Sequence, residues 1–472
     1  MSFSYQANHT HIFNTIIIFS KFPDEWKKSK IIPVRKKLQS VSVDNLRPIS
    51  ILSALSKVLE HLLKLQISQH IERNNFLNAC QSGYRRKHSS KTAMLKIFDD
   101  IGIVLDNNRP AVLILLDYSK AFDTISHNIL CEKLRLNFSF SQHATALIES
   151  YLKNRKQTVY HNDSYSTFKP ITSGVPQGSI LGPVLFSLYV NDLPNILKYC
   201  KIHLFADDVQ LYYDCPDTSA FDISRKINED LASVYEWSDR NKLTLNLSKT
   251  HALFITNNRG NCILKPTLEL QNKAIHFKDQ ATSLGVPIQE NFSFDKFVLM
   301  QCGKIFAGLK TLNLTCSFLS IDTKIKLFKS LLYPHFLACD FLLFEVSSFA
   351  LSRLRVALDY CVRYVFNLSR FSSVSHLQSR LIGCPFEKFG QIRSCLFLFK
   401  LADTKQPGYL YEKLEALRSN RAKKYKLPRY NTSRYGKSFF IRGVAHWNLL
   451  PNNLTLESSF NKFRRKCFGY FN

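Results

Sequence analysis

The tetrapeptide Phe205-Ala206-Asp207-Asp208 limits what this chain can fold into more than any other feature. Two adjacent acids stand between the apolar runs Ile202-His203-Leu204 and Val209-Gln210-Leu211-Tyr212-Tyr213. That pattern predicts two strands folding back on each other with carboxylates at the bend. Acids at a bend are mostly plain turn residues. Here another apolar strand, Val112-Leu113-Ile114-Leu115-Leu116, ends far upstream in Asp117. Two strands that each bring a carboxylate to one sheet edge can hold a pair of divalent cations, an arrangement suited to phosphoryl or nucleotidyl transfer.

A chain of 472 residues is long enough for roughly two to four modules. Lys+Arg 64 against Asp+Glu 36 gives a net charge of +28, which implies a polyanionic partner, most simply nucleic acid. The 12 cysteines include no CxxC pair, which leaves a zinc ribbon unsupported. Scattered single cysteines predict buried thiols in a reducing compartment, hence nucleus and cytoplasm. The apolar stretch His11–Phe19 is too short to span a bilayer, lacks a preceding basic region and has no small-residue cleavage site, so no membrane segment is expected.

Along the chain, a basic cluster (Lys27, Lys28, Lys30, Arg35, Lys36, Lys37) precedes a helical rhythm from Ile49 to Ile71. Arg85, Arg86 and Lys87 form a second basic cluster. A strand is predicted over 111–118 and a helix over 126–153. The glycine-rich turn Ser173–Ser179 opens into Ile180–Leu193, apolar almost throughout and therefore a buried helix. After the acidic hairpin, Ile223, Ile227, Leu231, Val234 and Trp237 mark an amphipathic helix, followed by a strand over Leu243–Thr256. Strand, helix, hairpin, helix, strand describes an α+β layer with helices on one face. Residues 321–344 and 350–366 read as helices. Residues 418–437 carry basic residues, no acid, and the interleaved Tyr425, Tyr430 and Tyr435.

The motifs stand in a familiar order. They are Phe22-Pro23 with Trp26-Lys27, Leu46-Arg47-Pro48-Ile49-Ser50, Gln81-Ser82-Gly83-Tyr84-Arg85 and Leu116-Asp117-Tyr118-Ser119-Lys120-Ala121-Phe122-Asp123. Then come Gly174-Val175-Pro176-Gln177-Gly178-Ser179, Phe205-Ala206-Asp207-Asp208, Asn246-Leu247-Ser248-Lys249-Thr250, Ser283-Leu284-Gly285-Val286 and, near the end, His446-Trp447-Asn448-Leu449-Leu450-Pro451. In these residues the chain resembles the reverse transcriptases of non-LTR (LINE-type) retrotransposons, most like the jockey group. Tyr84, Ser90 and Ser283 depart mildly from the family's usual Phe, Thr and Tyr.

The resemblance implies an α+β right-hand polymerase with a ferredoxin-like palm sheet, followed by a mainly helical C-terminal region. Fingers and an N-terminal extension would occupy 1–110, the palm 111–290, a helical thumb-like region 291–400 and a basic region 401–472. The implied activity is RNA-directed DNA synthesis on template RNA from a primer or target DNA end, using deoxynucleotides. Asp117, Asp207 and Asp208 would bind two Mg²⁺ ions, with Mn²⁺ as a substitute. Lys249 would serve the leaving pyrophosphate. Arg47 and Arg85 would hold the triphosphate. Phe122 would exclude a 2′-hydroxyl, and Gln177 and Gly178 would contact the incoming nucleotide. Arg421, Lys423, Lys424, Tyr425, Lys426 and Arg429 would bind nucleic acid through phosphate neutralisation and base stacking. Complete elements of this kind carry an endonuclease before the polymerase. The chain begins inside the polymerase's own extension, so nicking is expected from a separately encoded endonuclease. The alternative is a truncated, inactive relic that still binds RNA or DNA.

Overall fold

A computed structural model describes residues 2–35, 46–216, 219–257, 265–315, 318–417 and 423–471. The chain opens with α1 (Ser2–Phe19), β1 (Lys28–Arg35), β2 (Leu46–Ile51), α2 (Ala54–Arg73) and α3 (Ser90–Asp106). It continues through β3 (Ala111–Leu116), the turn helix α4 (Ala121–Thr124), α5 (His127–Leu136), α6 (Gln142–Leu152), β4 (Arg155–His161), β5 (Ser164–Tyr165) and β6 (Lys169–Ile171). Next come α7 (Gly182–Tyr189), β7 (Lys201–Phe205), β8 (Asp208–Asp214), α8 (Ala220–Arg240), β9 (His251–Ile255) and two small hairpins. The hairpins are β10 (Leu268–Leu270) with β11 (Lys273–Ile275), and β12 (Gln280–Ser283) with β13 (Val286–Gln289).

From Asp295 the described chain is helical. It comprises α9 (Asp295–Thr315), α10 (Ile321–Leu327), a π-turn over Phe328–Leu332, α11 (Tyr333–Cys339), α12 (Ser348–Phe366), α13 (Ser375–Ile382) and α14 (Phe386–Thr404). The last elements are α15 (Gly408–Tyr411), α16 (Phe439–Leu449), α17 (Asn452–Thr455) and α18 (Phe460–Phe471).

The central sheet has the order β7-β8-β3-β9, all antiparallel. Alternation along β3 decides which core each residue joins. Val112, Ile114 and Leu116 point into one core with α2, α5, α7 and α8, including Leu185, Phe186, Ile227 and Trp237. Ala111 and Leu113 point into the other, with α3 and the C-terminal helices. The sheet is therefore covered on both faces. A second sheet has the order β2-β1-β4-β5 with β6 beside β4, and β1 and β4 run parallel, so it joins strands from both sides of the boundary expected at residue 110. The right-hand polymerase class expected from the motifs is the fold observed.

Several local expectations need correction. Ile49 and Ile51 belong to β2, and the helix that follows starts only at Ala54. The apolar stripe 126–153 breaks into α5 and α6, whose junction Asn137–Ser141 carries Ser139 in the left-handed region. The strand drawn over 243–256 reduces to β9, with Leu245 making one bridge to Tyr118. The boundary drawn at 400 falls within α14, and residues on either side of it share one core. The described cysteines are unpaired, and eight of them are buried. Among the described residues no helix is long and apolar enough to cross a membrane.

Candidate active site

The bend of the β7–β8 hairpin is as short as a hairpin allows. Phe205 pairs with Asp208, leaving Ala206 and Asp207 as the two loop residues. Ala206 takes a left-handed conformation, φ +59°. One positive φ at the first loop position matches the primed turns that suit the twist of paired strands. A non-glycine residue there costs roughly 1–2 kcal/mol, and surrounding contacts hold it in place. Gln81 Oε1 accepts from Gly83 N at 2.7 Å and from Ala206 N at 3.4 Å. Ser82 N donates to Leu204 O and Leu204 N to Cys80 O, both at 2.8 Å. Residues 80–83 thus form a strand-like prop along β7. A Cβ on Gly83 would stand 2.2 Å from Ala206 N, so only glycine fits under the turn.

Leu116 pairs with Val209, so Asp117, the next residue after β3, emerges beside the Asp207–Asp208 turn. Burial raises the Asp207 carboxyl, and Asp117 raises it further, while its own backbone N–H and Arg47 oppose the shift. Asp208 is pushed up to about 6 by burial, then by Asp207 and Asp117. Asp207 and Asp208 therefore both feel the charge of Asp117. Asp117 Oδ2 is buried without a hydrogen bond, and its nearest cation is Lys249 Nζ at 3.4 Å. Lys249 arrives there because the segment after α8 runs back along β3's continuation. Ser119 N donates to Thr244 O at 2.8 Å and Asn246 N to Asp117 O at 2.7 Å. Asp117, Asp208, Lys249, His251, Lys278 and Gln280 line one side cleft of about 400 Å³.

Among the described residues no group of three His, Cys, Asp or Glu stands close enough to hold a metal unaided. A buried carboxylate oxygen without a hydrogen bond, beside two acids whose ionisation burial and neighbouring charge oppose, nonetheless fits a hard divalent cation whose other positions would be filled by phosphate oxygens and water.

The glycine-rich turn packs against both Asp123 and β2. Gln177 Nε2 donates to both carboxylate oxygens of Asp123, at 3.0 and 3.1 Å. Gly178 has φ +119°, and a Cβ there would meet Ser50 O at 2.7 Å. Ser50 N in turn donates to Gln177 O at 2.7 Å, which fastens the turn to β2, the strand that carries Arg47. Phe122 stacks on Phe186 at 4.6 Å and 22°, with Tyr84 edge-on to it at 6.4 Å. Tyr84 is half-exposed, and its phenol is pushed up by burial and then by Asp207 and Asp208, so it sits between Phe122 and the acids. The sequence reading treated Tyr84 only as a mild departure and assigned no role to Gln81 or Gly83. The signal for all three was their place in the motif Gln81–Arg85.

Other residues lie elsewhere. Arg85 donates to Asn78 O at 3.3 Å, and it faces Glu72 and the Tyr409 hydroxyl rather than the acids. In the basic stretch, Arg421 lies outside the described residues, whereas Lys423, Lys426 and Arg429 are exposed. The stacking role expected of Tyr425 is corrected. It is buried against Trp447, and its backbone N–H donates to Asn448 Oδ1. Lys424 turns inward as well, donating to the carbonyls of Asn448 and Leu450 at the end of α16. Both residues are structural because unpaired helix-end carbonyls and an aromatic core attract a lysine and a tyrosine.

Residues 32–288 match the family model described as Reverse transcriptase (RNA-dependent DNA polymerase). The chain is 26% identical over 335 residues to the RNA-directed DNA polymerase from mobile element jockey of Drosophila melanogaster, covering 68% of this chain and 36% of that protein. It is 29% identical over 293 residues to the probable RNA-directed DNA polymerase from transposon BS of the same species, covering 60% of this chain and 32% of that one. The chain thus spans about a third of the length of these curated relatives. Among solved structures, apo telomerase from Candida tropicalis matches with a TM-score of 0.45 at 14% identity, over 75% of this chain and 59% of that one. With the matched region taking in every element that builds the acidic cleft, the chain belongs to the reverse transcriptase (RNA-dependent DNA polymerase) family.

Proposed function

We propose that this chain is the RNA-directed DNA polymerase of a non-LTR retrotransposon and extends a primer 3′-hydroxyl with deoxynucleotides on an RNA template. The observation that carries this reading is Asp117 at the end of β3 beside the Asp207–Asp208 turn, where, after burial, its charge raises the cost of ionising both Asp207 and Asp208. Asp117 and Asp207 would hold Mg²⁺, with Asp208 assisting. Bound divalent cations would supply Lewis acidity at the primer hydroxyl and at the leaving pyrophosphate.

The chain's own residues position the reaction. The primer 3′-hydroxyl gives up its proton to solvent, its oxygen attacks the α-phosphorus in line, the new phosphodiester bond forms, and the bond to pyrophosphate breaks as its bridging oxygen takes the electron pair. Lys249, 3.4 Å from Asp117, supplies a cation on the side where that charge develops. Arg47, whose charge reaches Asp207, would clamp the triphosphate from the fingers. The Phe122 ring, fixed between Phe186 and Tyr84, would meet a ribose 2′-hydroxyl. Gln177, anchored on Asp123, would orient the templating pair.

The test is a primed RNA template with Mg²⁺ and either deoxy- or ribonucleotides, with Asp207→Ala as control. DNA synthesis by the intact chain, lost at least about a thousandfold in the control, is the expected result. Template binding without any synthesis would replace this reading with that of an inactive relic.

A further inference from the structure

The segment that follows α14 makes polar contacts that the mechanism above leaves unused. Lys413 places its ammonium between Asp99 and Asp100 of α3, 2.8 Å from Asp100 Oδ1 and hydrogen-bonded to Asp99. Asp100 Oδ2 accepts from Tyr212 Oη at 2.6 Å, and Tyr212 is a β8 residue. Tyr409, one helical turn before Lys413, brings its Oη within 2.8 Å of Ser82 Oγ, and Ser82 Oγ lies 2.9 Å from His203 Nε2 on β7. The Tyr409 ring stands edge-on to the His203 imidazole, at 5.2 Å and 88°. Tyr435 adds a bond from its Oη to Asp99 Oδ1 at 2.9 Å.

These groups are buried, Lys413 only in part, and they reach both strands of the hairpin that carries Asp207 and Asp208. β7 is held through Tyr409 and Ser82, and β8 through Lys413 and Asp100, so the segment 409–413 reaches each strand by a different route. Ser82 also belongs to the prop under the turn, since its backbone N–H donates to Leu204 O. A buried cation between two carboxylates is a poor way to gain bulk stability, because desolvation consumes most of the attraction. It is an effective way to fix one geometry, because each partner has its oxygens assigned. Burial opposes charge on Lys413, yet Asp99 and Asp100 raise its pKa overall.

We propose that Tyr409 and Lys413 are positioning residues of the polymerase site. The segment 409–413 braces β7 and β8 from behind and so sets where Asp207 and Asp208 stand relative to Asp117. This rests on the polymerase reading for its effect on synthesis, but not for its effect on the hairpin. The C-terminal region would then contribute to chemistry without touching substrate.

The experiment uses the full chain and three variants: Tyr409→Phe, which keeps the ring and removes the hydroxyl, Lys413→Met and Lys413→Arg. Hydrogen exchange is followed in the peptide 201–214 and, as a reference, in α12. Primer extension gives kcat and KM for deoxynucleotide. Expected for Tyr409→Phe is exchange at least about fivefold faster in 201–214 with α12 unchanged. Its kcat should fall about tenfold, with KM within about twofold. Lys413→Met should behave likewise and Lys413→Arg should recover most of the loss. Tyr409→Phe carries the test should Lys413→Met not fold. Hairpin exchange equal to the parent's in Tyr409→Phe would overturn the proposal, as would a loss confined to KM. If the parent chain makes no DNA, the polymerase reading falls, while the exchange arm still decides the brace.

Discussion

At the residue scale, the acids and the aromatic beside them make the sharpest predictions. Asp208 is raised to about 6 by burial and by Asp207 and Asp117. A folded-state pKa above the unfolded value means that the fold favours the protonated acid. That contribution is fully present below the unfolded value near 4 and is lost as pH rises through 6. In metal-free buffer Asp208→Asn should therefore melt above the parent at pH 7.5, and the gap should close towards pH 4. Asp208 is exposed on one side, and solvent screening holds the gain to about 1 kcal/mol. Adding Mg²⁺ or Mn²⁺ with a nucleotide should stabilise the parent and not the variant, and identical ligand shifts in the two melting curves would remove Asp208 from the ion site. Phe122→Val opens space between Phe186 and Tyr84, and ribonucleotide incorporation should rise at least about tenfold. Unchanged discrimination in primer extension would leave Phe122 as a packing residue only.

At the element scale, the acidic hairpin works because its neighbours force a two-residue loop to carry alanine at positive φ. Gly83 is the tightest of those contacts. Gly83→Ala drives a methyl into Ala206 N and should cost roughly 1–3 kcal/mol in urea unfolding while abolishing primer extension. Wild-type activity in that variant would show that the prop is not coupled to the turn. Elements with one strong periodic signal were legible from sequence. β3, the β7–β8 hairpin and α8 lie where alternation or three-to-four spacing put them. α3 was missed although Ser89 and Thr92 form a capping box at its start. Its stripe is interrupted by Asp99, Asp100 and Asp106, acids that would face water on an ordinary helix. Apart from Lys96 and Tyr212 at Asp100, the partners that allow their burial, Lys413, Tyr435, Asn431 and Thr432, come from more than three hundred positions away. No local pattern reports such partners. The strands β1 and β4 carry no such signal for a related reason, since β1 gains its place by pairing in parallel with β4, more than a hundred residues away.

At the scale of the whole molecule, a net charge of +28 predicts binding that weakens steeply with salt. For single-stranded RNA each neutralised phosphate contributes a slope of about −0.7 in log K against log salt. Lys426→Ala with Arg429→Ala should lower the slope's magnitude by about 1.4 if both reach the strand, because both are exposed. An unchanged slope would take the described part of this stretch out of the RNA path. Lys424→Met should instead lower the melting temperature and leave the slope alone, since its ammonium is spent on the carbonyls of Asn448 and Leu450.

Charge surplus, strand and helix rhythm, and the carboxylates' place at strand ends are local properties, so composition and spacing alone determined them. Which tyrosines and lysines turn inward, how Gly83 and Gln81 hold the turn, and how residues 409–413 reach β7 and β8 were decided only by the tertiary structure. A buried polar group goes where a distant partner satisfies it, and the identity of that partner is a property of the packed chain rather than of any window along it.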